Sequence, residues 1–509
     1  MGQTTNRAFA YFCVMVALLA LAFTIGCAHM PRLTKSVHAG KTGPLGACAD
    51  FFASLDNAVE KSGVRDAGAF RVKDYPYLRV NRLLSSFSHE ADDYAKFETW
   101  LDRLQELDRL GRFYEIENLV PGQCAELQLQ ANCSDLYKKV VQCGDLLRSK
   151  DFEAGQARAR LRQAAKAPHE YSLLGRIAGL YPLPSLFISE GVKKWHKRAR
   201  QSFSNTPPDG RYQMSRYVPY RDDVASIPSE PINIKVDALG IPVLSEELQD
   251  ALFYLYAPIW ELETKASYDC IGTPEWRKDG RSLQVNTSRP TTFRLLSYAR
   301  FDGRVLPQLN YIIWFPARPK ESAVDLIGGF MDGINYRVTL DLDSRPLLFE
   351  TVHNCGCYHK YFPTRRLSQR ALPECIEAPL VLQSPKLDPV FELLVISMES
   401  GTHYVQHLYT VPRHRQGDGE FYSLRDYNGL RSLSIHEGGR RGMFGENGIV
   451  PGTERLERFI FWPTGVPEAG AMRQWGRHAV AFMGRRHFDD PHLIQELFVR
   501  ANPIGTARF

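Results

Sequence analysis

Residues 336–353 read YRVTLDLDSRPLLFETVH. Tyr336 to Leu342 and Leu347 to His353 are rich in β-branched and aromatic residues, and Asp343-Ser344-Arg345-Pro346 between them is turn-forming, so the stretch predicts a β-hairpin. Its second strand runs into His353-Asn354-Cys355-Gly356-Cys357-Tyr358-His359, which places four side chains able to ligate a metal within seven positions. No other part of the chain is so dense in reactive groups. In an extended strand the outer histidines would stand about 20 Å apart at ~3.3 Å per residue. A single zinc or copper ion, with ligands at roughly 2.0–2.3 Å, therefore requires a bend, which Gly356 permits. On this reading His353, Cys355, Cys357 and His359 form the ligand set, and His403 from a neighbouring strand completes it. The other reading makes both cysteines disulfide partners and leaves both histidines structural.

Working outward, Val390 to Met398 and His403 to Val411 predict a second hairpin around Glu399-Ser400-Gly401, and Leu306 to Phe315 another strand. Ser245 to Tyr256 predicts one helix. Upstream, Ser204 to Pro231 carries Pro207, Pro208, Pro219, Pro228 and Pro231 and marks a connector. Residues 47–203 read as helical. In Ser88 to Leu110, Tyr94, Phe97, Leu101, Leu104 and Leu107 recur at spacings of three and four, with Ser88 as the start and Gly111 as the stop. The expected class is α+β: a helical N-terminal domain (47–203), a linker (204–231) and a β-rich, sandwich-like domain (232–509). Tyr311 to Pro316, Asp332 to Val338 and His353 follow an order that resembles β-sandwich proteins of the necrosis-inducing and Vps-like kind. The pair of His and Glu that holds a cation there is missing after Asp332-Gly333, so the resemblance implies a sandwich and no site.

The first residues state an address. Met1 to Arg7 is polar with one charge, Ala8 to Ile25 is apolar, and Thr24-Ile25-Gly26-Cys27 follows. This reads as an export signal. The small residue before cysteine resembles the lipobox of bacterial lipoproteins, with Thr24 where leucine is usual. The resemblance implies that residues 1–26 are removed, that Cys27 carries the acyl chains (palmitate among them) and that 27–46 is a tether. Ala28 after the cysteine, rather than aspartate, implies the outer membrane, with the protein facing periplasm or cell surface. Ile177 to Phe203 runs from an apolar lead into Lys193, Lys194, Trp195, Lys197, Arg198 and Arg200. That pattern suits either an anionic membrane surface or a solvated linking helix.

The net charge of +6 over 509 residues, 24% of them charged, argues against nucleic-acid partners. The arginines that follow Lys386, the last lysine, suit an anionic glycan or lipid headgroup, or internal pairing with the acids around them. Of ten cysteines, eight remain once Cys13 leaves with the signal and Cys27 is acylated. Cys48, Cys124, Cys133 and Cys143, then Cys270, Cys355, Cys357 and Cys375, are the disulfide candidates of an exported chain, four to each domain. No nucleophile elbow, zinc-protease or phosphate-loop motif occurs. The expected function is a lipid-anchored envelope protein with a non-catalytic binding or scaffolding role and no cofactor, its partners being the membrane, envelope proteins or anionic glycans. The alternative is a metal-dependent hydrolase with zinc or copper at residues 353–359 and Glu350 or Asp332 as base.

Overall fold

A computed structural model of the chain describes residues 36–120, 122, 133–153, 155–210, 212–220, 234–322, 324–373, 377–415, 418–436 and 438–501. The signal segment, Cys27, Cys124 and Cys375 lie outside the described residues, as does the side chain of Cys133.

The chain begins with α1 (Pro44–Ser62), the short strands β1 (Phe70–Val72) and β2 (Tyr75–Val80), then α2 (Arg82–Ser86), α3 (Tyr94–Glu117), α4 (Cys133–Asp151) and α5 (Gly155–Ala164). Phe52, Leu55, Tyr77, Trp100, Leu104 and Leu147 interdigitate as its core. A disulfide joins Cys48 of α1 to Cys143 of α4 across 95 residues of chain. Helix α3 starts later and ends later than its periodicity predicts. Asp93, whose carboxylate accepts from Lys96 N, is the cap, not Ser88, and the helix runs through Gly111 to Glu117. Gly111 is there for packing, because a Cβ at that position would lie 2.4 Å from Arg79 Nη1. The β1–β2 hairpin was not foreseen; β2 is buried on both faces, so it lacks the alternation that marks a strand in sequence.

Helices α6 (Leu173–Ala178) and α7 (Pro182–Ser202) leave this core and pack on the C-terminal region. There Tyr171 contributes to a small core with Val466, Ala469 and Ala479, and Ala199 joins the main sheet core. Strand β3 (Met214–Pro219) lies inside the stretch read as a connector. Next come α8 (Glu246–Leu255), capped by Ser245 and lying within the stretch expected as one helix, and β4 (Ile259–Glu263). The hairpin β5 (Thr273–Trp276) and β6 (Leu283–Asn286) precedes the long strands β7 (Thr291–Phe301), β8 (Arg304–Arg318), β9 (Gly329–Leu340) and β10 (Pro346–His353). The chain then forms β11 (Lys360–Pro363), β12 (Leu367–Gln369), β13 (Leu380–Val381), β14 (Glu392–Met398), β15 (Val405–Pro412) and β16 (Glu420–Asp426).

Both predicted hairpins are present: β9 pairs antiparallel with β10, and β14 with β15. They belong to one eleven-stranded mixed sheet, ordered β13-β11-β10-β9-β8-β7-β16-β3-β4-β14-β15. The sheet curls on itself. The rings of Trp260 on β4 and Tyr336 on β9 meet at 6.3 Å, although β8, β7, β16 and β3 lie between those strands in the order. Tyr311, Phe349, Leu394 and Tyr422 fill the same interior, and α8 plugs it with Leu252 and Phe253. Each such fully buried side chain contributes roughly 1.5–3 kcal/mol. The molecule is α+β, with helices in the N-terminal region and the curled sheet in the C-terminal region.

After β16 the chain is mostly irregular, and its arginines hold it down. Arg455 donates to Phe330 O at 3.0 Å, Arg473 to Glu468 O at 2.8 Å, Arg477 to Ala67 O at 2.8 Å and Arg486 to Glu377 O at 2.8 Å. A planar guanidinium satisfies several carbonyls at once, which suits a segment without a backbone ladder. Arg431 also clasps Asp66 with bonds of 2.8 and 2.7 Å, tying this segment to the helical region.

Candidate functional site

The register of β9 against β10 sets Glu350 directly across from Arg337. Arg337 donates from Nε at 2.8 Å and Nη2 at 2.7 Å to the Glu350 carboxylate, and His359 Nε2 stands 3.0 Å from it. Burial alone would raise the Glu350 pKa, but the Arg337 charge and the bonds from His359 and Arg337 bring it down to about 2. Burial also keeps His359 neutral, at about 4, despite the Glu350 carboxylate beside it.

The chain does bend at Gly356, at φ 94° with Gly356 N donating to His353 O at 2.7 Å. A Cβ there would meet Ala479 O at 2.4 Å, so only glycine fits. The bend nevertheless disperses the proposed ligands. His359 turns to Glu350. Cys355 and Cys357 face each other, with Cys357 N donating to Cys355 Sγ at 3.4 Å. His353 Nδ1 lies 3.4 Å from Asp332. Among the described residues no three His, Cys, Asp or Glu side chains are gathered as metal ligands would be. The five residues that the sequence reading set around one ion, His353, Cys355, Cys357, His359 and His403, are thus divided among different neighbours, because the turn at 354–358, with Gly356 and Tyr358 in left-handed backbone, redirects the side chains between β10 and β11. Cys270, Cys355 and Cys357 carry free thiols, in place of the crosslinks expected of them. Cys270 bonds to the Tyr217 hydroxyl, and the one-residue spacing of the other two disfavours closing a bridge.

Two of the five do share a partner. Asp332 on β9 sits between His353 and His403 Nδ1, the latter at 2.8 Å. His403 Nε2 faces Asp269 at 3.5 Å, an ion-pair contact longer than a good hydrogen bond. Asp269 is fixed by Ser400 Oγ at 2.8 Å and Gly401 N at 2.7 Å, and the His403 ring stacks on Phe315 at 3.9 Å. Burial opposes a charged imidazole at His403, but Asp269 and Asp332 on either side raise its pKa above the ordinary value. His353 is lowered by burial, which outweighs the attraction of Asp332.

Met331, Tyr358 and His403 all adopt left-handed backbone, three of the eight non-glycine residues that do so among those described. Such strain persists where the surroundings over-determine it. Above the network, Tyr358 and Tyr404 pack edge to face at 4.6 Å, Arg318 donates to Tyr404 Oη at 3.1 Å, and Trp195 of α7 covers Tyr358 at 5.3 Å. The Asp269–His403–Asp332–His353 line can hold and exchange protons, but under this cap it is sealed from solvent. Asp269, Trp195 and Arg318 were missed in the sequence because each is supplied from a distant element with no local motif.

No family profile, curated protein or solved structure matches the chain.

Proposed function

We propose that this is a lipid-anchored protein of the bacterial envelope, acylated at Cys27, with a non-catalytic binding or scaffolding role. The observation that carries the reading is the inward use of its densest reactive segment. His359 serves the buried Arg337–Glu350 pair and His353 the Asp332–His403 line, so the chemistry at residues 353–359 braces the sheet. The Cys48–Cys143 crosslink adds support for an exported chain, since such bonds persist in oxidising compartments.

The test combines fatty-acid labelling with metal analysis of the full chain. Wild type incorporates label and Cys27→Ala does not, and neither contains stoichiometric zinc or copper. Label retained by Cys27→Ala overturns the anchor. Stoichiometric metal that disappears in His353→Ala and His403→Ala overturns the non-catalytic role in favour of a metal-dependent hydrolase.

A further inference from the structure

Helix α7 has two faces. Trp195 and Ala199 seat it on the sheet core. At 100° per residue the opposite face carries Leu183, Leu186 and Phe187 along its first half and Lys193, Lys194 and Lys197 along its second. Phe187 is 82% exposed and Leu186 69%. The preceding helix extends the apolar half, because Leu173, Leu174, Ile177 and Leu180 of α6 and its turn also face solvent. The two helices are locked in this pose. A Cβ on Gly179 would meet Pro463 Cβ at 2.5 Å, and Arg176 donates to Thr464 O at 2.6 Å. Beside them, Ile460 of the short helix α9 (Arg458–Phe461) is exposed as well. Scattered single apolar residues need no explanation, but exposed apolar residues grouped on two successive helices mark an interaction surface.

The geometry points to the occupant: the α6–α7 ridge inserts into the interface of a bilayer rich in anionic phospholipid, with the apolar half among the acyl chains and the basic half against the headgroups. Charge selects this partner. Glu190 is the single acid of that face and is paired with Lys194 at 4.0 Å, which leaves Lys193, Lys197 and Arg198 in excess. An apolar face rich in Leu and Phe beside Lys and Arg is the composition of helices that lie in a membrane interface. No described helix is long and apolar enough to cross a membrane, so the ridge lies in the surface layer. The proposal rests on the membrane-attached reading.

The experiment measures amide hydrogen exchange of the full chain reconstituted in phosphatidylcholine vesicles with and without phosphatidylglycerol. Expected is a roughly tenfold or greater slowing across residues 173–190 that requires phosphatidylglycerol and fades as salt is raised. The combined variant Leu183→Ser, Leu186→Ser, Phe187→Ser abolishes the slowing. Lys193→Glu, Lys194→Glu, Lys197→Glu raises the vesicle concentration needed for half of the slowing about a hundredfold, at roughly fivefold per basic residue. These positions are exposed, so an unchanged melting temperature verifies the fold in both. Slowing that is the same in lipid-free solution and tracks self-association overturns the proposal in favour of a second copy of the chain, and no slowing in any vesicle overturns it outright. A failure of the Cys27 anchor is seen separately, as lost fatty-acid label with the ridge still protected by added vesicles.

Discussion

The helical region and the curled sheet both bury charge, but with different chemistry. In the helical region Arg79 donates to Asp108 at 3.1 Å and Glu115 at 2.8 Å, while Arg112 pairs with Asp56 and donates to Pro76 O at 2.9 Å. All five charged groups are essentially inaccessible. Every cation of this network is an arginine, which stays protonated at any ordinary pH. In the sheet the same duty is divided between Arg337 and three histidines, His353, His359 and His403, which can take up or release a proton. The first network is rigid in charge and the second adjustable. A lost cation in the helical network leaves its carboxylates to the remaining arginines, whereas in the sheet a neighbouring imidazole can protonate in its place.

The sharpest break of that contrast is removal of one arginine from each side. Arg79→Met takes the nearest cation from Asp108 and Glu115, which keep Arg112 at 3.5 and 3.6 Å, and costs about 3–5 kcal/mol at pH 8 by denaturant melts. Arg337→Met costs a comparable amount at pH 8 but clearly less at pH 5, because His359 then protonates beside Glu350. Equal costs at both pH values would sink the idea that the histidines compensate.

The crosslink comes next. Replacing Cys48 and Cys143 by alanine removes a closure spanning 95 residues, worth roughly 2–4 kcal/mol and entropic in the loop model. The loss is confined to the helical region, so hydrogen exchange in α1 and α4 accelerates while β8 and β9 keep their protection.

A smaller effect separates the networks by pH. His403 has a folded pKa raised above its unfolded value, so its contribution is fully present below the unfolded pKa of about 6.5 and is lost as pH rises through the folded value. Glu350 works the opposite way: its contribution is present above about 4.5 and lost as pH falls towards about 2. His403→Asn therefore lowers the melting temperature most between pH 5 and 6 and progressively less above pH 7. A penalty that grows with pH would contradict the carboxylate clamp. The smallest change is Ser245→Ala, which removes the bond from Leu248 N to Ser245 Oγ at the start of α8 and costs about 1 kcal/mol.

Much of the fold could be read locally. The Tyr336–His353 hairpin, its turn and the helix within Ser245 to Tyr256 follow from local patterning and turn chemistry, which act over a few residues. Strand β3 could not be read so, because Met214 to Pro219 sits among prolines and becomes a strand only when β4 and β16 flank it. Gly111 looked like a helix stop and is a seat for Arg79. At the candidate site, His353, His403, Asp332 and Glu350 were all visible as reactive residues, and the bend at Gly356 was required by the metal reading. Their partners were not visible, since strand register and hairpin placement decide which side chains meet.

By itself the sequence determined the α+β class, the hairpins and the density of ligand-type residues at 353–359, because periodicity and turn chemistry are short-range. The tertiary structure alone decided that those residues brace two buried networks instead of converging on one point. It also decided that α6 and α7 turn an apolar ridge outward. Both depend on contacts between elements tens to hundreds of residues apart, for which a linear chain carries no local signal.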